Sequence, residues 1–309
     1  LAASFGFVLA NTDVRMDAIL TACIIFSTWQ LVALLQDQQW NYAAGAALGL
    51  ALGFSTKGHI AVIIPLTGLF FYAAGKGEWK KMFGVKTWFV LLFFALLLLP
   101  EIFCYYLQYN LHPEKTVRGH NNINGVRYLL FGMGTERFQG DAFGAVNKKD
   151  HLFFLHSFLW CFAPWSLLAI AALLQRMQRG ARKEWLTVAC LLTHLLIISF
   201  SGFKLPHYLV IVFPTTSILV ADLLLAARKA GKQEKILLYM QYAVTVALLV
   251  VTVLLNAWIF PLHSYFFNAA VVVLLAVLIY QFRVALLDGF QKAVTVPAAA
   301  FVLLFFPLN

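Results

Sequence analysis

Long, nearly uninterrupted apolar runs separated by short polar turns dominate this chain. Nine full segments stand out, at about 16–36, 40–55, 58–75, 87–109, 152–174, 185–201, 205–227, 236–260 and 264–282, with partial ones at 1–10 and 293–308. Such lengths fit helices that cross a bilayer, whose hydrocarbon core of about 30 Å takes about 20 helical residues; the shorter segments would stand nearly upright. A β-barrel is excluded, because its strands would be short alternating segments. The pattern therefore predicts an all-α polytopic membrane protein with one long polar insertion, 110–151. The chain opens inside one apolar run and closes in another, so we expect residues 1–309 to be a transmembrane domain cut at both ends.

Composition sharpens this. With 62% hydrophobic and 12% charged residues, the chain is neither a soluble domain nor a disordered one. Its four cysteines, Cys23, Cys104, Cys161 and Cys190, lie in apolar stretches and form no CxxC pair. They read as buried free thiols. No internal repeat or low-complexity stretch is visible.

The net charge of +10 reports topology, not nucleic-acid binding. Of 23 basic residues, 14 fall in four short loops, 76–86, 175–184, 228–235 and 283–292, which strict alternation puts on one side. By the positive-inside rule that side is cytoplasmic. The remaining nine are Arg15, Lys57, Lys115, Arg118, Arg127, Arg137, Lys148, Lys149 and Lys204, all on the outer side. Arg15, Lys57 and Lys204 sit in very short turns beside the membrane, where basic groups are usually retained for an anionic partner.

Three outer turns carry candidate chemistry. In Asn11-Thr12-Asp13-Val14-Arg15-Met16-Asp17, two carboxylates flank an arginine where a helix enters the membrane. Asp13 or Asp17 would serve as an N-cap with Arg15 as counter-ion, or Asp17, inside the first turn, would be a functional acid or metal ligand. In Ser55-Thr56-Lys57-Gly58-His59, a helix starting near Gly58 would aim its N–H groups outward, and Lys57 would add a full charge to that anion-binding end. The plainer reading is a snorkelling lysine. In Gly202-Phe203-Lys204-Leu205-Pro206-His207-Tyr208, Pro206 suits a first helical turn and Lys204 precedes it, with His207 inside the turn. Two such lysines on one membrane face are most simply explained by a shared anionic ligand. Loop 110–151 is too long for a connector, and Val126 to Phe131 reads as a helix on the membrane surface. His112 and His120 are candidate metal ligands but lack a zinc spacing such as HxxxH. Glu101, deep in its span, is a site candidate, whereas His194 and Asp222 read as hydrogen-bonded packing residues.

Taken in order, Thr12-Asp13-Val14-Arg15-Met16-Asp17, Ser55-Thr56-Lys57-Gly58-His59, Glu136-Arg137-Phe138-Gln139-Gly140, His156 with Ala163-Pro164-Trp165-Ser166, and Phe203-Lys204-Leu205-Pro206-His207-Tyr208 with Pro214 resemble integral-membrane glycosyltransferases of the GT-C fold. The nearest branch is the bacterial family 39 type, similar to protein O-mannosyltransferases and lipid A aminoarabinose transferases. The resemblance implies a helix bundle with a long periplasmic loop carrying short surface helices, in the bacterial cytoplasmic membrane with its active site facing the periplasm. It implies an inverting hexosyl- or pentosyltransferase that moves a sugar from a polyprenyl-phosphate donor to a lipid, glycan or protein acceptor of the cell envelope. Lys57 matches the family lysine near the lipid phosphate, and Asp17 the acidic residue at the start of the corresponding helix. Arg137 and Lys204 match basic positions near the donor, while Asp13, Arg15, His59, Glu101, His207 and Tyr208 would line the site.

Two departures bear on this. The family's principal catalytic Asp lies in a first outer loop that would precede Leu1, so residues 1–309 alone are expected to be inactive. The lipid A enzymes carry a His shortly before the Arg-Phe pair, where this chain reads Gly132-Met133-Gly134-Thr135-Glu136, so the resemblance leaves the use of a divalent metal open. The rival readings are a transporter or flippase of a lipid-linked or anionic substrate, and a membrane scaffold. A transporter should place ionisable groups at the midplane with repeat symmetry, and neither is seen. A scaffold has no need of two lysines at outer helix starts.

The orientation is open to direct test. On a background with the four native cysteines replaced, a cysteine introduced as Asn122→Cys should react with an impermeant maleimide in intact spheroplasts, and Lys80→Cys should not. The opposite labelling would invert the topology.

Overall fold

The computed structural model describes residues 1, 3–11, 15–117, 119–139, 150–178, 185–228, 232–254, 258, 269, 272–273, 276, 280 and 289–305. It is 84% helical and has no strands among them, as an all-α polytopic membrane protein requires. The elements are α1 (Phe5–Asn11), α2 (Asp17–Asp37), α3 (Trp40–Lys57), α4 (Ile60–Lys76), α5 (Trp79–Met82) and α6 (Val85–Tyr105), which runs on through a π-helical turn, Tyr106–Asn110. In the outer loop α7 (Gly125–Arg127), a π-helical turn (Tyr128–Gly132) and α8 (Met133–Gln139) follow one another. Then come α9 (Phe153–Cys161), α10 (Ser166–Gln178), α11 (Leu186–Phe200), a 3-10 helix (Pro206–Val212), α12 (Phe213–Arg228), α13 (Lys232–Leu254) and a last helix, Gly289–Phe305.

Among the described residues three helical runs are long and apolar enough to cross a membrane: Asp17–Asp37, Trp79–Asn110 and Pro206–Arg228. Ile60–Lys76, Leu186–Phe200 and Lys235–Val251 are apolar but shorter. The expected single span at 152–174 is instead two helices, α9 and α10, bent by 120° at their break. Pro164 lies in that break and has no N–H with which to continue α9. The expected span at 264–282 lies for the most part outside the described residues, as do much of the loops at 175–184, 228–235 and 283–292. The surface helix expected over Val126 to Phe131 extends from Gly125 to Gln139, its start capped by the Asn124 side chain, which accepts from Arg127 N–H at 2.8 Å.

The chain divides into two compact units. One comprises Leu1–Thr12, Phe158–Met177 and Thr216–Asn309. Within it, α1 is tied to the α9–α10 break: Phe5 N–H donates to the Ala163 carbonyl at 2.9 Å, and the Trp165 indole donates to the Ala3 carbonyl at 3.1 Å. Arg176 pairs with Asp222 at 3.5 Å, and Val296 and Ala300 of the last helix pack against Leu249 of α13.

The other unit, Asp13–Ser157 with Gln178–Thr215, holds the outer turns of interest. Its core is built along α3, whose side toward α2 is nearly bare of side chains. Gly49 and Gly53 let the backbones close in: a Cβ on Gly49 would lie 2.9 Å from Phe26 and 3.1 Å from Ser27, and one on Gly53 would lie 2.8 Å from Ala61 and 3.3 Å from Cys23. Small residues at four-residue spacing are the usual means of close helix packing where lipid supplies no hydrophobic drive. Leu31, Leu34 and Leu35 of α2 then pack with Ala43, Ala46, Ala47 and Leu50 of α3 and Leu69 and Ala73 of α4. Closer to Asp17, Leu20 and Ile24 meet Ala61 and Ile64 of α4, Cys190 of α11 and Ile211 of the 3-10 helix. This contact brings the start of α2, the end of α3 and the start of the 3-10 helix to one place.

Gly53→Val should therefore overpack the α3–α4 contact at a cost of about 1–3 kcal/mol. Thermal unfolding of the purified protein in detergent would show this as a lowered midpoint, with Leu52→Val on the exposed face of α3 as the near-neutral control.

Candidate functional site

The site is assembled from the ends of elements. Asp17 opens α2, and Lys57 closes α3. The chain reverses at Gly58, whose φ of 75° belongs to the left-handed region that glycine tolerates, and α4 starts at Ile60. Lys57 is expected just ahead of a helix N-terminus, and it stands two residues before His59, the N-cap of α4; it is also the last residue of α3, beside that helix's negative end.

That charge is held in place. Lys57 Nζ lies 2.5 Å from Asp17 Oδ1 and 4.1 Å from the centre of the Tyr208 ring. Asp17 is 3% exposed. Its Oδ2 faces His207 Nε2 at 3.7 Å, and the Arg15 guanidinium is 2.8 Å from His207 Nδ1. Tyr208 is fixed from behind: its carbonyl accepts from His194 Nε2 at 2.9 Å, and its ring stacks on Phe154. A carbonyl only accepts, so this bond sets the His194 tautomer with the proton on Nε2. Five of the residues singled out in the sequence, Arg15, Asp17, Lys57, His207 and Tyr208, are thereby brought into one cluster.

Lys57 and Tyr208 also line a cavity of about 400 Å³. Its walls are Ile60 and Ile63 of α4, Ile197 and Ile198 of α11 and Ile211, and the outer-loop helix contributes Phe131, Gly134 and Thr135. His59 lines it as well, with its ring edge on Phe54, and a Cβ on Gly134 would come within 2.8 Å of His59 Nδ1. The chamber is thus hydrocarbon-like over most of its surface, with one lysine in its lining.

The other expected residues lie elsewhere. Glu101 accepts from Ser55 Oγ at 2.5 Å, where α6 packs on α3. Lys204 is fully buried and is not among the residues lining the cavity. Burial pushes its pKa down, and the negative charge of Asp150 pulls it back up. Asp13 and the Arg137 side chain fall outside the described residues. His112 pairs with Glu114 at 2.9 Å, and His120 and Val117 exchange backbone hydrogen bonds. Among the described residues no group of three or more His, Cys, Asp or Glu side chains is placed to hold a metal ion.

Residues 1–103 match the family described as dolichyl-phosphate-mannose-protein mannosyltransferase. The match takes in α1 to α4 and most of α6, and so Arg15, Asp17, Lys57, His59 and Glu101; His207 and Tyr208 lie beyond it. It supports a GT-C glycosyltransferase-like fold and a glycosyltransferase of the mannosyltransferase type. No curated protein and no solved structure matches the chain.

Sequence reasoning missed Asp150 and gave His156 no electrostatic role. Asp150 Oδ2 is 3.1 Å from His156 Nε2, and Oδ1 accepts from Leu152 N–H at 3.0 Å. An Asp two residues ahead of the apolar run Leu152-Phe153-Phe154-Leu155 is a legible N-terminal helix signal. The His156 hydrogen bond is the main cause that holds the Asp150 carboxyl below its usual range, with the Leu152 N–H and the charges of His156 and Lys204 adding to it. A depressed carboxylate stabilises the fold above its ordinary pKa and loses that contribution as pH falls through the lowered value. Asp150→Asn should therefore lower the thermal midpoint slightly at pH 7. The gap to wild type should close as the pH drops below about 4; a gap independent of pH would contradict the role of the Asp150 carboxylate.

Proposed function

We propose that the chain transfers a sugar from a polyprenyl-phosphate donor to an envelope acceptor, a protein or alternatively a lipid or glycan. In this reading the reaction takes place on the membrane face opposite the lysine-rich short loops, the periplasmic face of a bacterial inner membrane. The observation that carries it is the junction at Lys57 and Tyr208, which belong both to the charged cluster and to the apolar cavity. An isoprenoid phosphate has the matching form, a single anionic group on a hydrocarbon chain.

The chemistry follows from that placement. An acceptor hydroxyl attacks the anomeric carbon on the side opposite the phosphate, which inverts the centre. The bond to the phosphate oxygen breaks, and charge grows on the leaving group. A fixed ammonium at that oxygen, in surroundings poor in water, stabilises the charge as it develops. Both Asp17 oxygens are directed at protein partners, Lys57 and His207, so the role favoured for Asp17 is to position the cations.

The test is an assay of the full protein in proteoliposomes with radiolabelled polyprenyl-phosphate mannose and a periplasmic protein extract. Label should pass to protein, and Lys57→Ala should reduce transfer by about ten- to a hundredfold, the loss of one charge-assisted contact of ~1.5–3 kcal/mol. Movement of the labelled lipid between leaflets with no transfer would favour a flippase.

A further inference from the structure

Asp17 already holds the lysine that an anionic ligand in the cavity would use, although it is not itself among the lining residues. Its Oδ1 is in direct ion-pair contact with Lys57 Nζ at 2.5 Å, and the Tyr208 ring takes another side of the ammonium at 4.1 Å. A phosphate oxygen reaching this lysine meets a carboxylate already on it. Two anions on one ammonium, at a position 3% exposed on the carboxylate side, repel each other strongly. The carboxylate has an alternative partner at hand. Oδ2 is 3.7 Å from His207 Nε2, and the Arg15 guanidinium lies against that imidazole, 2.8 Å from Nδ1 and 3.2 Å from Nε2, as a second positive group beside it. A rotation of one short side chain takes Asp17 from Lys57 toward His207 without moving a helix.

We propose, resting on the assignment of the donor phosphate to Lys57, that Asp17 is a resident competitor for that lysine. It yields Lys57 to the donor, turns to His207, and returns to Lys57 to expel the lipid phosphate after transfer. The need for such a device follows from the charges. Transfer breaks the bond between the anomeric carbon and the phosphate oxygen, and the electron pair stays on that oxygen. A new bond forms to the acceptor oxygen, whose proton is released. The bound phosphate thus passes from one negative charge to two and is held more tightly by a fixed cation than the donor was. A carboxylate that competes for the same ammonium offsets this and frees the product. Asp17 is in this account a positioning residue that acts through Lys57, and its removal tightens binding where the loss of a structural residue would weaken it.

The test is binding of farnesyl phosphate, which carries the product's head group, to the full chain in nanodiscs, with farnesol as the uncharged control. Asp17→Asn should bind farnesyl phosphate about ten- to a hundredfold tighter than wild type, with dissociation slowed in proportion. Asp17→Ser should tighten it likewise, Asp17→Glu should stay near wild type, and farnesol should bind all of them alike. Adding Lys57→Ala to Asp17→Asn should abolish the gain. Binding that depends on Lys57 yet tightens in neither Asp17→Asn nor Asp17→Ser overturns the proposal alone. Wild-type binding no stronger for farnesyl phosphate than for farnesol, and unchanged by Lys57→Ala, overturns the donor-phosphate assignment and the proposal with it.

Discussion

A lysine ammonium among apolar helices must be neutralised, and here the partner is a carboxylate from a helix start 40 residues earlier in the chain. The Lys57–Asp17 pair joins the end of α3 to the beginning of α2. Taking both ions out of water costs several kcal/mol each unless geometry and further contacts offset it. The offsets are visible: the Tyr208 ring under the ammonium and His207 beside the second oxygen. Those two residues open the 3-10 helix, and His194 of α11 fixes Tyr208 through its carbonyl. The close α2–α3 packing permitted by Gly49 and Gly53 is what brings the helix ends within reach of each other. Replacing such a pair by apolar residues is often neutral for stability, so the pair's place beside an apolar chamber that Lys57 lines points to a ligand rather than to stability.

Much of this was legible in the sequence, and the reason is the membrane. Helices must span or nearly span it, so apolar runs mark the elements and the residues between them are forced to its two faces. That alone placed Arg15, Asp17, Lys57, His207 and Tyr208 on one side. Their meeting was not legible, because the Arg15–His207 contact joins residues 192 apart and no local pattern encodes such a pairing. Hydropathy also does not separate the end of one helix from the start of the next within a turn as short as Gly58-His59, so the sequence showed Lys57 ahead of α4 but not that it also closes α3. Lys204 illustrates the same limit. Its flanking Pro206 correctly marked a helical start, here a 3-10 turn, but nothing local announced that Lys204 would be buried. The break between α9 and α10 was signalled by Pro164 and concealed by the apolar residues on both sides.

Two apolar hollows in this unit differ in what they offer a lipid. One, lined by Leu96, Leu99, Pro100, Ile102, Phe103, Tyr106 and Val126, lies along an exposed face of α6 and has no charged lining residue. The other is walled by α4, α11 and the helical stretch Gly125–Gln139 and has Lys57 in its lining. Only the second combines a hydrocarbon wall with a cation, and a polyprenyl phosphate needs both.

The most direct measurement is therefore to find where the isoprenoid chain lies. A photoactivatable farnesyl phosphate with its reactive group near the phosphate can be cross-linked to the full protein in membranes, and the adducts mapped by mass spectrometry. The account predicts adducts on Ile60, Ile63, Ile197 or Ile198, competed by excess farnesyl phosphate and reduced in Lys57→Ala. Adducts confined to Leu96–Tyr106, indifferent to Lys57, would contradict it.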